Sequence, residues 1–318
     1  PERLSPCDQD ADAAKDREVR MLKKQLDRSE ELVTRLEHMR DISLGLQSRM
    51  NAQLRDANKT IEEKNRLLRE ALALAEEVQL RLLPRGYPVV PGFDIAGMST
   101  YCDETGGDYY DYLDIPGADG VATAVVVGDV SGHGVASALL MTTARAFLRM
   151  RVSLGGGPAD HVNDLNRMLT KDTADTGRFL TFFYLLLDPP AEGSPHGNIR
   201  WVRAGHDPAL VYDPARSEFV ELANGSLPLG IIGDATYEEF VFEEIASRLV
   251  IVLGTDGIWE ARNREGIMFG KRRMRRIIAE NADLPAQEIV AVVMEELEAF
   301  RRGVPSEDDV TLVVVKVL

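Results

Sequence analysis

Four aspartates occupy positions from which chemistry could be done. Asp129 lies in Gly128-Asp129-Val130-Ser131-Gly132-His133-Gly134, after the largely apolar run Val121–Val127 and ahead of an Ala- and Leu-rich helix start. Asp256 sits in Gly254-Thr255-Asp256-Gly257 after Leu249–Leu253, and Asp308 in Ser306-Glu307-Asp308-Asp309 before Val310–Val317. Asp108 follows a double glycine, Gly106-Gly107, ahead of an aromatic strand. One such residue alone reads equally well as a turn or cap, because Asp beside Gly is common there. Four of them at the margins of strands buried on both faces would converge at one end of a core if those strands are neighbours. Carboxylates packed together raise one another's pKa, and a divalent cation removes that penalty. All-oxygen ligation points to Mg²⁺ or Mn²⁺ with waters completing an octahedron. Two such ions sharing an aspartate can generate a hydroxide and clamp a phosphoryl group.

The elements that must position these residues follow from periodicity. From 13 to 83 there is no proline and one glycine, Gly45, in a composition dominated by Glu, Lys, Arg, Leu and Ala, which predicts one long helix. A seven-residue spacing runs through Leu22, Leu26, Ser29, Val33 and Leu36, then Met50, Leu54, Ala57 and Ile61, then Leu68, Ala71, Ala75, Val78 and Leu82. Between the first two runs Arg40, Ser43 and Gln47 fall on the seam while Met39, Ile42 and Leu46 sit beside it, a local slip of phase. The stripe predicts a coiled coil and a homodimer; a solvated helix folding back on its own domain is the other reading. Residues 1–12 are expected to be disordered, a linker to a sensor region upstream of Pro1.

Pro84 and Gly86-Tyr87-Pro88 end the helix. Strands are expected at 93–98, 109–112, 121–127, 179–187, 199–204, 209–212, 218–222, 237–242, 249–253 and 310–317. The fifth and sixth should flank the Gly205-His206-Asp207-Pro208 turn as a hairpin. Helices are expected at about 137–153, 159–169, 271–280 and 286–301. Strands grouped around two helix pairs do not alternate as a doubly wound sheet does, so the order predicts an α+β fold with two sheets and helices outside them.

Bulk properties narrow the function classes. The chain of 318 residues carries 52 Asp and Glu against 37 Lys and Arg, a net charge of −15, which argues against a nucleic-acid partner. Two cysteines, Cys7 and Cys102, have neither disulfide-framework nor metal-ligand spacing, which points to a reducing compartment. No run approaches a membrane span and no secretory signal is visible, so a cytoplasmic location is expected, with any membrane anchor lying upstream.

Val78-Gln79-Leu80-Arg81-Leu82-Leu83-Pro84, Gly106-Gly107-Asp108-Tyr109-Tyr110-Asp111, the Asp129 loop, Ala204-Gly205-His206, Leu227-Pro228-Leu229-Gly230, Thr255-Asp256-Gly257 and Asp308-Asp309-Val310-Thr311 occur in one order. That series resembles the SpoIIE/RsbU-like branch of the PPM-type (protein phosphatase 2C-like) Ser/Thr phosphatases, over about 78–318. The resemblance implies an αββα β-sandwich core at 84–318 with two divalent ions, Mn²⁺ or Mg²⁺, at one end. It implies that Asp129 bridges both ions, that Asp108 and the Val130 backbone carbonyl complete one set of ligands, and that Asp256 and Asp308 hold the other. Asp111, Gly257 and Asp309 neighbour these ligands as further candidates. A metal-activated water would attack phosphoserine or phosphothreonine, with His133 as a candidate general acid for the leaving hydroxyl. His206, in a strand turn, reads as structural. The arginine with which eukaryotic relatives hold phosphate has no clear match. The expected substrate is a small phosphorylated anti-sigma-factor antagonist, and the expected regulation runs through the helix. A catalytically inactive binding or adaptor module is the alternative, and lost carboxylates would mark it. The double glycine before Asp108 also resembles the Gly-Gly-Asp of diguanylate cyclases. Those continue with an acid and phenylalanine rather than Tyr109-Tyr110, and a cyclase leaves the other three aspartates unexplained.

Overall fold

The computed structural model describes residues 6–117, 120–190, 197–243 and 245–318, with the side chains of 6–14 and 117 outside the described set. By internal contacts the chain divides into Pro1–Glu70 and Ala71–Leu318. Helix α1 (Pro6–Leu80) provides all the described structure of the first unit and runs unbroken through 40–47, where the seam changes phase. It starts before residue 13, so the expected irregular segment is already helical from Pro6. Leu22, Leu26, Val33, Leu36, Met50, Leu54 and Ile61 are all more than half exposed, an apolar stripe open to solvent among the described residues. Ion pairs one turn apart, Arg35 with Glu31 and Arg66 with Glu70, line its flanks, exposed and screened by solvent. The helix stops three residues earlier than expected: the Leu82 N–H turns back to the Gln79 carbonyl at 2.9 Å, and Pro84 bars continuation.

In the second unit the apolar runs become two five-stranded antiparallel sheets. The first is ordered β1 (Phe93–Thr100), β10 (Val310–Val317), β9 (Val250–Gly254), β6 (Ala209–Asp213), β7 (Glu218–Leu222). The second is ordered β2 (Tyr109–Gly117), β3 (Gly120–Val130), β4 (Leu180–Leu187), β5 (Ile199–Ala204), β8 (Phe240–Phe242). Helices α2 (Val135–Val152) and α3 (Pro158–Thr173) pack on the second sheet, and α5 (Ala286–Arg301), with α4 (Lys271–Glu280) beside it, on the first. The strands read as unbroken hydrophobic runs because both faces are covered. In β10, Val313, Val315 and Val317 join the core between the sheets, while Leu312 and Val314 pack among Met274, Ile277, Ile289 and Val293 of the outer helices. Each such buried side chain contributes about 1.5–3 kcal/mol.

Antiparallel register fixes which loops share an end. Tyr109 pairs with Gly128 and Asp129 with Thr181, so the start of β2, the end of β3 and the start of β4 lie together. Thr100 pairs with Val310 and Leu312 with Gly254, which brings the end of β1, the start of β10 and the end of β9 to one end of the other sheet.

Two expectations need correction. Strands β5 and β6 are not a hairpin, because they belong to different sheets and Gly205-His206-Asp207-Pro208 crosses from one to the other. Gly205 makes the crossing with φ +67, and a Cβ there would collide with Pro228 of the Leu227–Gly230 segment. The strand expected at 237–242 is reduced to Phe240–Phe242 because the Tyr237 N–H is taken by Asn163 Oδ1 of α3 at 2.9 Å. Cys102 has a free thiol, and the Cys7 side chain lies outside the described residues. Among the described residues no helix is long and apolar enough to cross a membrane.

Candidate metal centre

Each sheet delivers two of the four aspartates to the shared end. Asp129 is the penultimate residue of β3, held between β2 and β4. Asp108 precedes β2 and is 1% exposed. Asp256 follows β9 and Asp308 precedes β10. The two pairs are joined by Thr255, whose hydroxyl donates to Asp108 Oδ2 at 2.8 Å and accepts the Thr311 N–H at 2.9 Å. Ordinary threonine chemistry thus ties the first sheet to a carboxylate of the second.

The electrostatics reflect crowding of like charge. Burial, then the neighbouring Asp256, Asp308 and Asp309, push Asp129 up to about 7. Asp256 rises to about 6 through burial and then Asp308 and Glu260. Burial and Asp129 hold Asp108 well above the usual carboxylate range, and burial raises Asp308 too. Among the described residues none of the four takes a Lys or Arg ion pair. Nor, among those residues, do three His, Cys, Asp or Glu side chains close tightly enough on one point to enclose an ion by themselves. A small hard cation does not require that, since it keeps several waters and takes one or two carboxylates. One buried carboxylate, Asp108, two part-buried ones, Asp129 and Asp256, and the exposed Asp308, crowded together without a Lys or Arg ion pair among the described residues, fit divalent cations in the donor set and in charge.

The other expected ligands are distributed unequally. The Val130 carbonyl faces Gly107, where an added Cβ would lie 2.8 Å from it, so it adjoins the Gly106–Asp108 segment. Asp309 is engaged elsewhere: Oδ1 accepts the Cys102 N–H at 2.8 Å, and Oδ2 accepts the N–H of Gly107 at 2.7 Å and of Asp108 at 3.4 Å. It ties the end of the sandwich together. A Cβ on Gly257 would run into the Asp309 carbonyl, so that glycine is there for close backbone packing. Asp111 is not in the cluster, a correction to its candidacy. Its fully buried carboxylate receives Arg149 of α2 at 2.7 and 2.6 Å and the Tyr109 hydroxyl at 2.9 Å. Along β2 alternate side chains share a face, so Asp111 points with Tyr109 under α2, whereas Asp108 lies before the strand begins.

His133 is exposed, bonds Asp103 through Nδ1 at 2.7 Å, and favours the ionised form of Asp308 when protonated. His206 is buried, and burial pushes it down to about 4, so it is neutral. Its Nδ1 meets the Thr181 hydroxyl at 2.8 Å, which sets a structural histidine behind the register partner of Asp129. Arg203 carries no role in the motifs read from the chain. It lines a hollow of about 250 Å³ with Asp129, Thr181, His206 and Asp256, donates from Nη1 to the His206 carbonyl at 2.7 Å, and keeps a buried Nε that has no partner among the described residues. Nothing in the run 199–204 singles it out, since Arg200 stands there too and pairs with Asp188 and Glu239.

The chain is similar to known proteins in sequence and in fold. The family described as Stage II sporulation protein E (SpoIIE) matches residues 119–318. Phosphoserine phosphatase RsbU of Bacillus subtilis is 26% identical over 249 residues, covering 78% of this chain and 70% of RsbU. The structure of the RsbU and RsbW domains of Rv1364c from Mycobacterium tuberculosis is 29% identical, with a TM-score of 0.57, covering 72% of this chain and 61% of that one. The SiaA-PP2C domain of Pseudomonas aeruginosa superposes with a TM-score of 0.66 at 21% identity, covering 79% of this chain and 98% of that one, a likeness of fold.

Proposed function

This chain belongs to the SpoIIE family of PPM-type serine/threonine phosphatases, and from that premise we propose a divalent-metal-dependent phosphoprotein phosphatase acting on a small anti-sigma-factor antagonist. The observation that carries the metal dependence is the meeting of Asp108 and Asp129 from one sheet with Asp256 and Asp308 from the other, none of them in a Lys or Arg ion pair among the described residues. Asp108, Asp129 and the Val130 carbonyl would hold one cation, and Asp129, Asp256 and Asp308 the other. When bound, such cations supply charge neutralisation at the phosphoryl group and a water acidic enough to serve as nucleophile at neutral pH. The chain's own residues do the positioning. Strand β3 fixes Asp129, the Thr255 hydroxyl orients Asp108, and Arg203 puts positive charge on the wall of the adjoining hollow.

The substrate class is supported by the likeness to RsbU, named a phosphoserine phosphatase, and by the solved pairing of RsbU and RsbW domains in one chain. The test is phosphate release from phosphorylated antagonists of the same genome, with Mn²⁺ and with chelator. Metal-independent release, or none from any phosphoserine protein, removes the proposal. An inactive binding module is the weaker reading, because none of the four carboxylates has been lost.

The uncovered stripe of α1 supports a parallel homodimer in which helix packing regulates the catalytic unit. Sedimentation should give a dimer for the full chain, and replacing Leu22, Leu26, Val33 and Leu36 by Ser should shift it to monomer. Turnover and mass that are both unchanged in that variant would contradict the assignment.

A further inference from the structure

The last turn of α1 carries a glutamine in an unusual setting for a surface helix. Its neighbours Val78 and Leu80 are exposed, whereas Gln79 is 4% exposed. Its amide is turned onto a single residue of the phosphatase core. Nε2 donates to the Gly106 carbonyl at 2.7 Å, and the Gly106 N–H donates to Oε1 at 3.2 Å. A primary amide has a donor and an acceptor side by side, so it satisfies both polar groups of one residue as a neighbouring strand would.

Gly106 stands two residues before Asp108. On the far side Asp309 accepts the N–H groups of Gly107 and Asp108, and a Cβ on Gly106 would collide with the Tyr101 ring and the Asp309 carboxylate. The segment that delivers Asp108 is therefore held from several sides: by Asp309, by the Val130 N–H on the Gly107 carbonyl at 3.3 Å, by the Thr255 hydroxyl on Asp108 itself, and by α1. A ligand carboxylate must be held within roughly 0.5 Å of its working position. Of these restraints, the one through Gln79 comes from α1 rather than from a strand or loop of the two sheets.

We propose that Gln79 is a positioning residue of the metal centre: by holding both polar groups of Gly106 it sets where Asp108 stands, so that the last turn of α1 and the cation site form one coupled unit. The inference rests on the metal-centre reading above. Its consequence is reciprocal. Anything that displaces the turn weakens cation binding, and cation binding steadies the turn.

The test uses the full chain and Mn²⁺ itself, with free Mn²⁺ read from its electron paramagnetic resonance signal, so that no turnover is needed. Gln79→Met keeps length and apolar bulk while removing the amide, and should weaken Mn²⁺ binding at least tenfold. Asp129→Asn is measured in parallel as the control on the site. If Asp129→Asn weakens binding and Gln79→Met does not, the role of Gln79 is refuted and the metal centre stands. If Asp129→Asn binds like the wild type, the metal-centre reading falls and this inference with it. A second measurement covers a Gln79→Met chain that fails to fold: hydrogen exchange on the unaltered protein. Adding Mn²⁺ should slow exchange at 76–82 together with 105–110. Protection confined to 105–110 would overturn the coupling.

Discussion

Asp129→Asn is expected to reduce Mn²⁺-dependent phosphoprotein hydrolysis by about 10³-fold or more, beyond the 10–100-fold that losing an outer partner of a metal ligand costs. The residue sits one position from the end of β3 and pairs with Thr181, so its backbone is fixed whether or not a cation is bound. Asparagine matches the shape of the side chain and preserves the strand, but it removes the charge that would be shared between two ions. The same substitution should raise the melting temperature of the metal-free chain at pH 8. Asp129 is held there among Asp256, Asp308 and Asp309, and the amide relieves that repulsion. Activity lost while stability rises separates removal of a ligand from damage to the fold. Activity within tenfold of the wild type, measured at saturating Mn²⁺, would remove Asp129 from the centre.

The second large effect concerns pH and the cation together. Asp108, Asp129, Asp256 and Asp308 all have pKa values raised in the folded chain, to about 7 for Asp129 and about 6 for Asp256, with burial the leading cause in each. A carboxyl with a raised folded pKa binds its proton more tightly folded than unfolded, so the stability it contributes is present at low pH. That stability is lost as pH climbs from the unfolded value near 4 through the folded one. The chelated protein should therefore melt lower at pH 8 than at pH 5, by roughly 5–10 °C at 2–4 °C per kcal/mol for a domain of this size. Below about pH 4 the trend should reverse as carboxylates such as Asp164, held low by Arg151, are protonated. Mn²⁺ at 100 times its dissociation constant adds about 2.7 kcal/mol. That gain should be large at pH 8 and small at pH 5, where protons compete for the same oxygens. Calorimetry of chelated and Mn²⁺-loaded protein at both pH values decides it. A chelated chain equally stable at pH 5 and pH 8 would mean the four acids do not crowd.

Much of the catalytic unit was legible in the chain because its signals are local. The bounds of α4, α5 and β10 follow from spacing alone, since strands covered on both faces must be apolar throughout and amphipathic helices must repeat near 3.6 residues. The margins of those strands mark Asp129, Asp256 and Asp308 for the same reason. What periodicity does not contain is which distant segment a side chain will meet. Asp108 and Asp111 are three residues apart and both acidic, yet one faces the cluster and the other faces Arg149, a choice made by where β2 begins and by α2 covering it. Asp308 and Asp309 are adjacent, and the N–H groups of residues 102, 107 and 108 engage the second. Strands β5 and β6 flank a turn as a hairpin would, but each has a stronger pairing in a different sheet. Gln79 and Arg203 have no periodic signature at all. Their roles come from bonds to Gly106 and from a shared hollow with Asp129, contacts that exist only after the chain has closed. Composition and spacing thus determined which elements form and which residues end them. The packing of two sheets decided which of those ends meet, because hydrogen-bond partners far apart in sequence are chosen by geometry that no local pattern encodes.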